Sequence, residues 1–216
     1  MKDIYIFGAG TMSNTYIDII ESTQEYKIVG LIDDRYPQLT EAYGFKVVGN
    51  TESIKDMDIE YMAVCIGDNN VREIVVNKIK DINPNITFPS LVHRSAYVSP
   101  NAQLGEGVVI RANVTIDRGC VLEKFTWVGA NSVIPHNSIL EEYSSVSAGV
   151  NVGGEFRLGK YSYMGIGSTA KHCITVGENT VIGAGSVVLE SIPNNTTAYG
   201  IPCKVIRSRE KGERYL

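Results

Sequence analysis

From Val92 to Val188 an apolar residue recurs at every sixth position. The column runs Val92, Val98, Leu104, Ile110, Ile116, Leu122 and continues without a break to Val176, Ile182 and Val188; only Ala170 in it is small. Two residues before each member stands a second, mostly compact column, with Ala96, Ala102, Cys120, Thr126, Ser132 and Ser138 as examples and Phe156 as the bulky exception. Glycine often follows the aliphatic residue, as at Gly105, Gly129, Gly153, Gly159, Gly165, Gly177 and Gly183. A helix cannot use this pattern, because a residue every six positions drifts around a 3.6-residue spiral. A short strand plus a corner, repeated, fits it. Three such units close one triangular coil of 18 residues, with the aliphatic column inside the prism. The pattern predicts a parallel β-helix in which the glycines serve tight corners through a positive φ.

The first ~85 residues alternate strands with helices instead. Strands are predicted at Asp3–Phe7, Lys27–Ile32 and Tyr61–Ile66, helices at Met12–Ser22 and Val71–Ile82, and a short strand at Ile86–Phe88. The division predicted is an α/β Rossmann-like domain over residues 1–88 and an all-β domain over 89–216. Strand, Gly8-Ala9-Gly10, helix is the arrangement that lets a backbone approach an anion at a helix N-terminus. Ser13 stands where a third glycine would complete the fingerprint, and Asp33 ends the second strand, where a ribose hydroxyl would be bound. Three strand ends (Gly8 to Gly10, Asp33-Asp34, Gly67 to Asn70) should converge on one crevice. The domain is small for a dinucleotide, so a mononucleotide or a nucleotide-sugar is the better fit. The bland alternative is an α/β domain whose glycine turn binds nothing.

Composition narrows the partners. The chain of 216 residues carries a net charge of −4 and no basic run, against nucleic acid as a partner. No apolar stretch approaches a membrane span, the start does not read as a signal peptide, and Cys65, Cys120, Cys173 and Cys203 have no framework spacing, which points to the cytoplasm.

The repeat assigns each histidine a place. His136 and His172 both lie two residues beyond the inward column and are 36 residues apart, so they share one face two coils apart, about 9.6 Å at the ~4.8 Å spacing of paired strands. Gly154 lies between them in that column, and Arg118 lies one coil below His136. A histidine beside a bare glycine is a layout for acyl transfer: the imidazole removes a proton from an attacking amine or hydroxyl, and a glycine amide holds a developing oxyanion. Exposed histidines also occur without function. A zinc hydratase of the γ-carbonic-anhydrase type is a rival, but catalytic zinc needs three protein ligands, and position 177 is Gly177 while His93 lies far below. A non-enzymatic nucleotide-sugar-binding β-helix is another. Trp127 and Tyr163, read as equivalent corner positions, point to a subunit contact.

The chain resembles the bacterial sugar acetyltransferases that include sialic acid O-acetyltransferases and the UDP-4-amino-sugar N-acetyltransferases of bacillosamine synthesis. The resemblance is carried by Ile4 to Gly10, Leu31 to Asp34, Cys65 to Arg72, Leu91 to Ala96, Asn131 to His136, and a tail from Ile192 to Ile206. It implies a left-handed coil, a homotrimer and acetyl-CoA bound between neighbouring β-helices, with no metal. It implies His136 as general base and Gly154 as donor to the acetyl carbonyl. Ile166 and Ala184 would line the pantetheine path, and Gly200, Ile201, Pro202 and Lys204 the adenine and phosphate end. Gly8, Gly10, Asp33, Asp34, Gly67 and Asn69 would form the nucleotide crevice. The implied activity is acetyl transfer to a nucleotide-linked amino sugar or to a sialic acid. Amino-sugar members tend to carry a carboxylate after the base, a second histidine nine positions on, and a histidine after the glycine turn; here these are Asn137, Ser145 and Met12. The departures point toward the sialic-acid branch or another sugar nucleotide. They leave Glu141 or Glu142 to orient His136, or to stand as solvated corner charges.

Overall fold

The structure, a computed structural model, describes residues 1–215. The chain divides into two compact units, Met1–Leu91 and a second beginning at Val92.

The first unit is an α/β sheet. Its elements are β1 (Lys2–Phe7), α1 (Ser13–Thr23), β2 (Tyr26–Ile32), β3 (Glu41–Ala42), β4 (Phe45–Gly49), a 3₁₀ turn (Thr51–Asp56), β5 (Tyr61–Val64) and α2 (Asn69–Ile82). The strand order is β3-β4-β2-β1-β5, parallel except for the β3–β4 hairpin. Ile4, Ile6, Leu31, Ile32 and Met62 are buried in the sheet, and α1 buries Tyr16, Ile17, Ile19 and Ile20. The chain leaves β1 for β2 on one side, whereas β5 lies on the other. The strand order therefore reverses between β1 and β5, where open α/β sheets bind ligands at their carboxyl ends. Helix α2 starts at Asn69, before the expected Val71, because the Asp68 side chain caps it by accepting from the Asn70 and Val71 N–H groups at 3.0 Å. The segment expected as a strand at Ile86–Phe88 makes only one bridge, Tyr61 to Thr87.

The second unit is a left-handed parallel β-helix of two-residue strands stacked in three walls. Strands such as Trp127–Val128, Ser145–Val146 and Tyr163–Met164 form the first wall. Thr115–Ile116, Val133–Ile134 and Asn151–Val152 belong to the second, and Val121–Leu122, Ile139–Leu140 and Arg157–Leu158 to the third. The in-register pairs Trp127↔Ser145, Thr115↔Val133 and Val121↔Ile139 each span one 18-residue coil. From Ile110 to Val188 the aliphatic column is buried in one core. The compact column has a polar function too. Ser132 Oγ donates to the Ser147 carbonyl at 2.9 Å and accepts the Val150 N–H at 3.2 Å. Ser162 repeats this with the Gly177 carbonyl and the Thr180 N–H. Buried amides that the wall ladders leave unused are thereby paired across coils.

The glycines that follow the aliphatic residue have a different cause from the one expected. None of Gly105, Gly129, Gly153, Gly159, Gly165, Gly177 and Gly183 has a positive φ. Each lies under the next coil, where a Cβ would overlap it: at Gly159 it would stand 2.5 Å from the Glu178 amide nitrogen, and at Gly165 2.6 Å from that of Ala184. The left-handed backbone belongs to another column, two residues further on. It runs Gly107, Asn113, Gly119, Phe125, Asn131, Asn137, Tyr143, Gly149, Glu155, Tyr161, Gly167, Cys173, Asn179 and Gly185. A non-glycine residue there costs about 1–3 kcal/mol. At the third corner, between third and first walls, the cost is offset by stacking: Phe125 and Tyr143 rings lie 5.2 Å apart, Tyr143 and Tyr161 6.1 Å. Trp127 and Tyr163 stand on the flat first wall and not at a corner; Arg111 lies over the Trp127 ring, and Tyr163 packs on Tyr215 at 4.6 Å.

Candidate active site

The second corner, between second and third walls, carries Arg118, His136, Gly154 and His172 one coil apart in sequence. His136 is exposed, and its ring rises along the corner onto the next coil. A Cβ built on Gly154 would stand 2.5 Å from His136 Nε2 and 2.6 Å from Cε1. Only glycine leaves room for the imidazole edge there. The amides on either side are used by the stack, Gly153 N–H to the Ala170 carbonyl and Glu155 N–H to the His136 carbonyl, both at 2.9 Å. The Gly154 N–H donates to no acceptor among the described residues. The corner thus pairs an exposed imidazole nitrogen with an unused amide donor, a base beside an anion-stabilising group.

The carboxylates expected near His136 are elsewhere. Glu141 and Glu142 sit on the third corner. Glu141 pairs with Arg157 and accepts the Lys160 N–H at 3.0 Å. Glu142 bridges Lys124 and Lys160 at 3.1 Å each, and although burial opposes it, those ammonium groups hold its carboxyl below the usual range. The side chain within reach of His136 is Asn137, with Nδ2 3.5 Å from Nδ1. His93 turns its Nδ1 to Ser95 at 2.9 Å, away from this corner. Among the described residues no cluster of three or more His, Cys, Asp or Glu could hold a metal ion.

Ile166 and Ala184 lie on the first corner, between first and second walls, and both are exposed. Beside them the left-handed column is Gly149, Gly167 and Gly185, and a Cβ at Gly167 or Gly185 would meet nothing within 4 Å. With Ala148 these residues make a row of small or apolar positions three coils long that faces open space. The period-18 pairs Ala148-Gly149, Ile166-Gly167 and Ala184-Gly185 were the sequence signal for it. Above it the strands Thr196–Gly200 and Cys203–Ser208 form an antiparallel hairpin joined to the first wall. Gly200, with φ 111°, donates its N–H to Ser186 Oγ at 3.2 Å, and Ile201 is 78% exposed. Pro202 and Lys204, also exposed, belong to the same hairpin end. Ile166, Ala184 and the hairpin tip therefore share one corner, whereas His136 and Gly154 occupy the next.

In the first unit Gly8, Gly10, Asp33 and Gly67 stand at the carboxyl ends of β1, β2 and β5. Gly8 has φ 104°, and a Cβ there would lie 2.8 Å from the Cys65 carbonyl oxygen. Gly10 has open space around it. Ser13 is buried and donates to the Gly8 carbonyl at 2.8 Å, closing the turn from inside. Asp33 accepts the Ala9 N–H at 2.8 Å and is gripped by Arg35 through Nε at 2.7 Å and a second guanidinium nitrogen at 2.9 Å. That pairing holds its carboxyl down at about 2. Asp34 accepts from the Thr51 N–H and hydroxyl, and Asn69 is fully buried with its oxygen on Arg72. These two side chains brace the loops.

Residues 3–79 match the PglD N-terminal domain family. Over 118 residues the chain is 27% identical to the UDP-N-acetylbacillosamine N-acetyltransferase of Bacillus subtilis, and the match spans 52% of each. The aligned stretch is thus about half the length of that curated relative. The acetyltransferase domain of PglB from Neisseria gonorrhoeae, solved with acetyl coenzyme A, superposes with a TM-score of 0.87 at 25% identity over 95% of this chain and 99% of that one. The chain is thus similar to acetyltransferases along its length, with the family match itself confined to residues 3–79. A variant of GDP-perosamine N-acetyltransferase from Caulobacter crescentus, solved with CoA and GDP-perosamine, shares the fold at a TM-score of 0.89 and 24% identity, covering 96% of this chain and 98% of that one. No helix among the described residues is long and apolar enough to cross a membrane.

Proposed function

We propose that the protein transfers the acetyl group of acetyl-CoA to the amine of a nucleotide-linked amino sugar. The observation that carries this is His136 resting on the bare face of Gly154 beside an amide that the fold leaves unused. Acetyl-CoA supplies an activated thioester. His136 Nε2 takes the proton from the amine as its nitrogen bonds to the thioester carbon, the Gly154 N–H stabilises the negative charge that develops on the acyl oxygen, and collapse of the tetrahedral intermediate breaks the C–S bond, the CoA thiolate leaving with the proton that His136 returns. The row of Gly149, Gly167 and Gly185, open on its outer side, leaves a slender pantetheine arm free to run past Ile166 and Ala184. The exposed hairpin tip from Gly200 to Lys204 suits the nucleotide end of the coenzyme. In the first unit, Gly8, Gly10 and Gly67 frame the nucleotide crevice, with Asp33 toward a ribose and Asp34 and Asn69 holding its loops. Relatives named for UDP-N-acetylbacillosamine and GDP-perosamine support an amino-sugar acceptor.

The reading includes a homotrimer. The row past Ile166 and Ala184 and the base lie on different corners of one prism, so a site that uses both is completed by a second copy. One corner against a different corner is a heterologous contact, which closes only as a ring, and three copies make the smallest ring beyond a dimer. The proposed location is the cytoplasm, where the activated substrates occur.

The test is a thermal-shift panel of UDP-, GDP- and dTDP-amino sugars, sialic acid and CMP-sialic acid, each with CoA, followed by acetyl-transfer assays on the hits. A nucleotide amino sugar should stabilise the protein and accept acetyl. Acetylation of sialic acid alone would replace the acceptor, and no shift with CoA would overturn the reading in favour of a binding module.

A further inference from the structure

We infer that Arg118 binds the phosphate that joins the acceptor sugar to its nucleotide, and so fixes which end of the acceptor faces His136. This rests on the nucleotide-linked amino sugar being the acceptor. Arg118 stands one coil below His136 on the second corner, tied there by the Asn137 N–H, which donates to the Arg118 carbonyl at 3.1 Å. The same ladder continues upward, where the Glu155 N–H donates to the His136 carbonyl at 2.9 Å. The Arg118 and His136 side chains therefore leave the corner about 4.8 Å apart, the spacing of stacked strands.

The fold makes no use of the Arg118 guanidinium. It is exposed, and among the described residues it has no hydrogen bond or ion pair, not even with its chain neighbour Asp117. Elsewhere on the coils Arg111 lies over the Trp127 ring and Arg157 pairs with Glu141. No carboxylate stands in the column of Arg118, His136, Gly154 and His172. Glu155, one coil above Asn137, meets the Cys173 thiol of the next coil at 3.8 Å. The corner's other cation, Lys171, lies two coils above His136. An anion beside the base is thus drawn down to Arg118 and opposed on the coil above by Glu155.

A nucleotide-linked amino sugar carries its reacting amine and its first phosphate on one ring. With the amine at His136 Nε2, that phosphate lies within a ring's width, and a cation on the adjacent coil meets the condition. A guanidinium presents paired N–H donors that match two phosphate oxygens. Having no partner in the fold, Arg118 breaks no internal bond when the phosphate arrives. Held there, the phosphate stays two coils from the Gly154 amide and leaves that donor to the acyl oxygen.

The experiment compares Arg118→Gln, Arg118→Lys and Lys171→Gln in acetyl-transfer assays with the nucleotide amino sugar that the panel selects. In Arg118→Gln the KM for that acceptor should rise about tenfold or more, the worth of a charge-assisted pair, while kcat and the KM for acetyl-CoA stay unchanged. Arg118→Lys, which keeps the charge but not the fork, should recover part of the loss. Lys171→Gln should leave the acceptor KM unchanged, and Arg118→Gln should melt with wild type. An unchanged acceptor KM in Arg118→Gln, or an equal rise in Lys171→Gln, would overturn the inference. The acceptor reading is separated from it by calorimetry with UDP and GDP, which end in the same phosphate and need no turnover. If no nucleotide amino sugar accepts acetyl, that reading fails, and weaker UDP or GDP binding by Arg118→Gln still supports Arg118 as the phosphate ligand. Nucleotide binding equal to wild type, or a loss confined to sialic acid, would sink the assignment.

Discussion

The first and second corners of the prism flank the same wall and follow the same backbone path, yet they present opposite surfaces. In coils two apart on the second corner, His136 and His172 project polar side chains, with Asn137 and Glu155 beside them. On the first corner the same positions hold Ala148, Ile166 and Ala184 beside three glycines. One corner holds groups that can move a proton or stabilise charge. The other carries no group that ionises, only small and apolar side chains. A repeat fold permits this separation because each corner position is independent of the core: the walls stack through backbone hydrogen bonds and the aliphatic column, whatever the corner carries.

The sharpest break of this comparison is His136→Ala. It should lower turnover by roughly 10²–10⁴, the usual worth of a general base, while CoA still binds and stabilises. Near-normal turnover would remove the second corner from the chemistry. A smaller and different effect is expected at the first corner. Ala184→Trp places a bulky ring on the proposed coenzyme path, so KM for acetyl-CoA should rise about tenfold or more, since the lost interaction is binding common to ground and transition states. Mixing the two variants tests whether the corners belong to different copies. At acetyl-CoA well below the KM of Ala184→Trp, co-assembled His136→Ala and Ala184→Trp chains should exceed the summed activity of the two variants assayed apart, because some interfaces pair two intact corners. No recovery, together with a monomer in analytical ultracentrifugation, would mean that one chain is sufficient.

The two units were legible to different degrees, for a physical reason. In the β-helix the same steric rule acts on every coil, so position modulo 18 is an address; it placed His136, Gly154 and His172 in one column, whereas Ile166 and Ala184 came from the family resemblance. It would also have placed Glu141 on the third corner, since Glu141 directly follows Leu140 of the third wall. The address does not report backbone torsion. The left-handed column is filled by Phe125, Tyr143, Glu155 and Cys173 as well as by glycine, so glycine content pointed to the wrong positions. In the α/β unit there is no address. The strands Glu41–Ala42 and Phe45–Gly49 are short: the first pairs only with the second across a tight hairpin, and the second is recruited by pairing to the more distant Tyr26–Ile32. The glycine turn and Asp33 were readable as motif chemistry. That Asp34 serves Thr51 and Asn69 serves Arg72 depends on side chains brought together only by folding.

The smallest effect concerns Asp33 at the carboxyl edge of the first unit, a carboxylate with no counterpart among Ala148, Ile166 and Ala184 of the first corner. Asp33 is held at about 2 by Arg35, with the Ala9 amide assisting. A carboxylate ordinarily titrates near ~3.9. Its folded value is depressed, so the unfolded chain binds the proton first as pH falls. The stabilisation is fully present above about 4 and is lost as pH drops from about 4 toward about 2. Asp33→Asn keeps a hydrogen-bonding side chain of the same shape but has no proton to bind. The melting temperature of the variant should be lower than wild type at neutral pH, and the gap should close across that window. Arg35 is largely exposed, which screens the pair and keeps the gap small. A constant difference between the two melting curves from pH 5 to pH 2 would mean that Asp33 contributes shape and not charge. The grip of Arg35 would then be incidental to the fold, leaving that carboxylate available to a ligand.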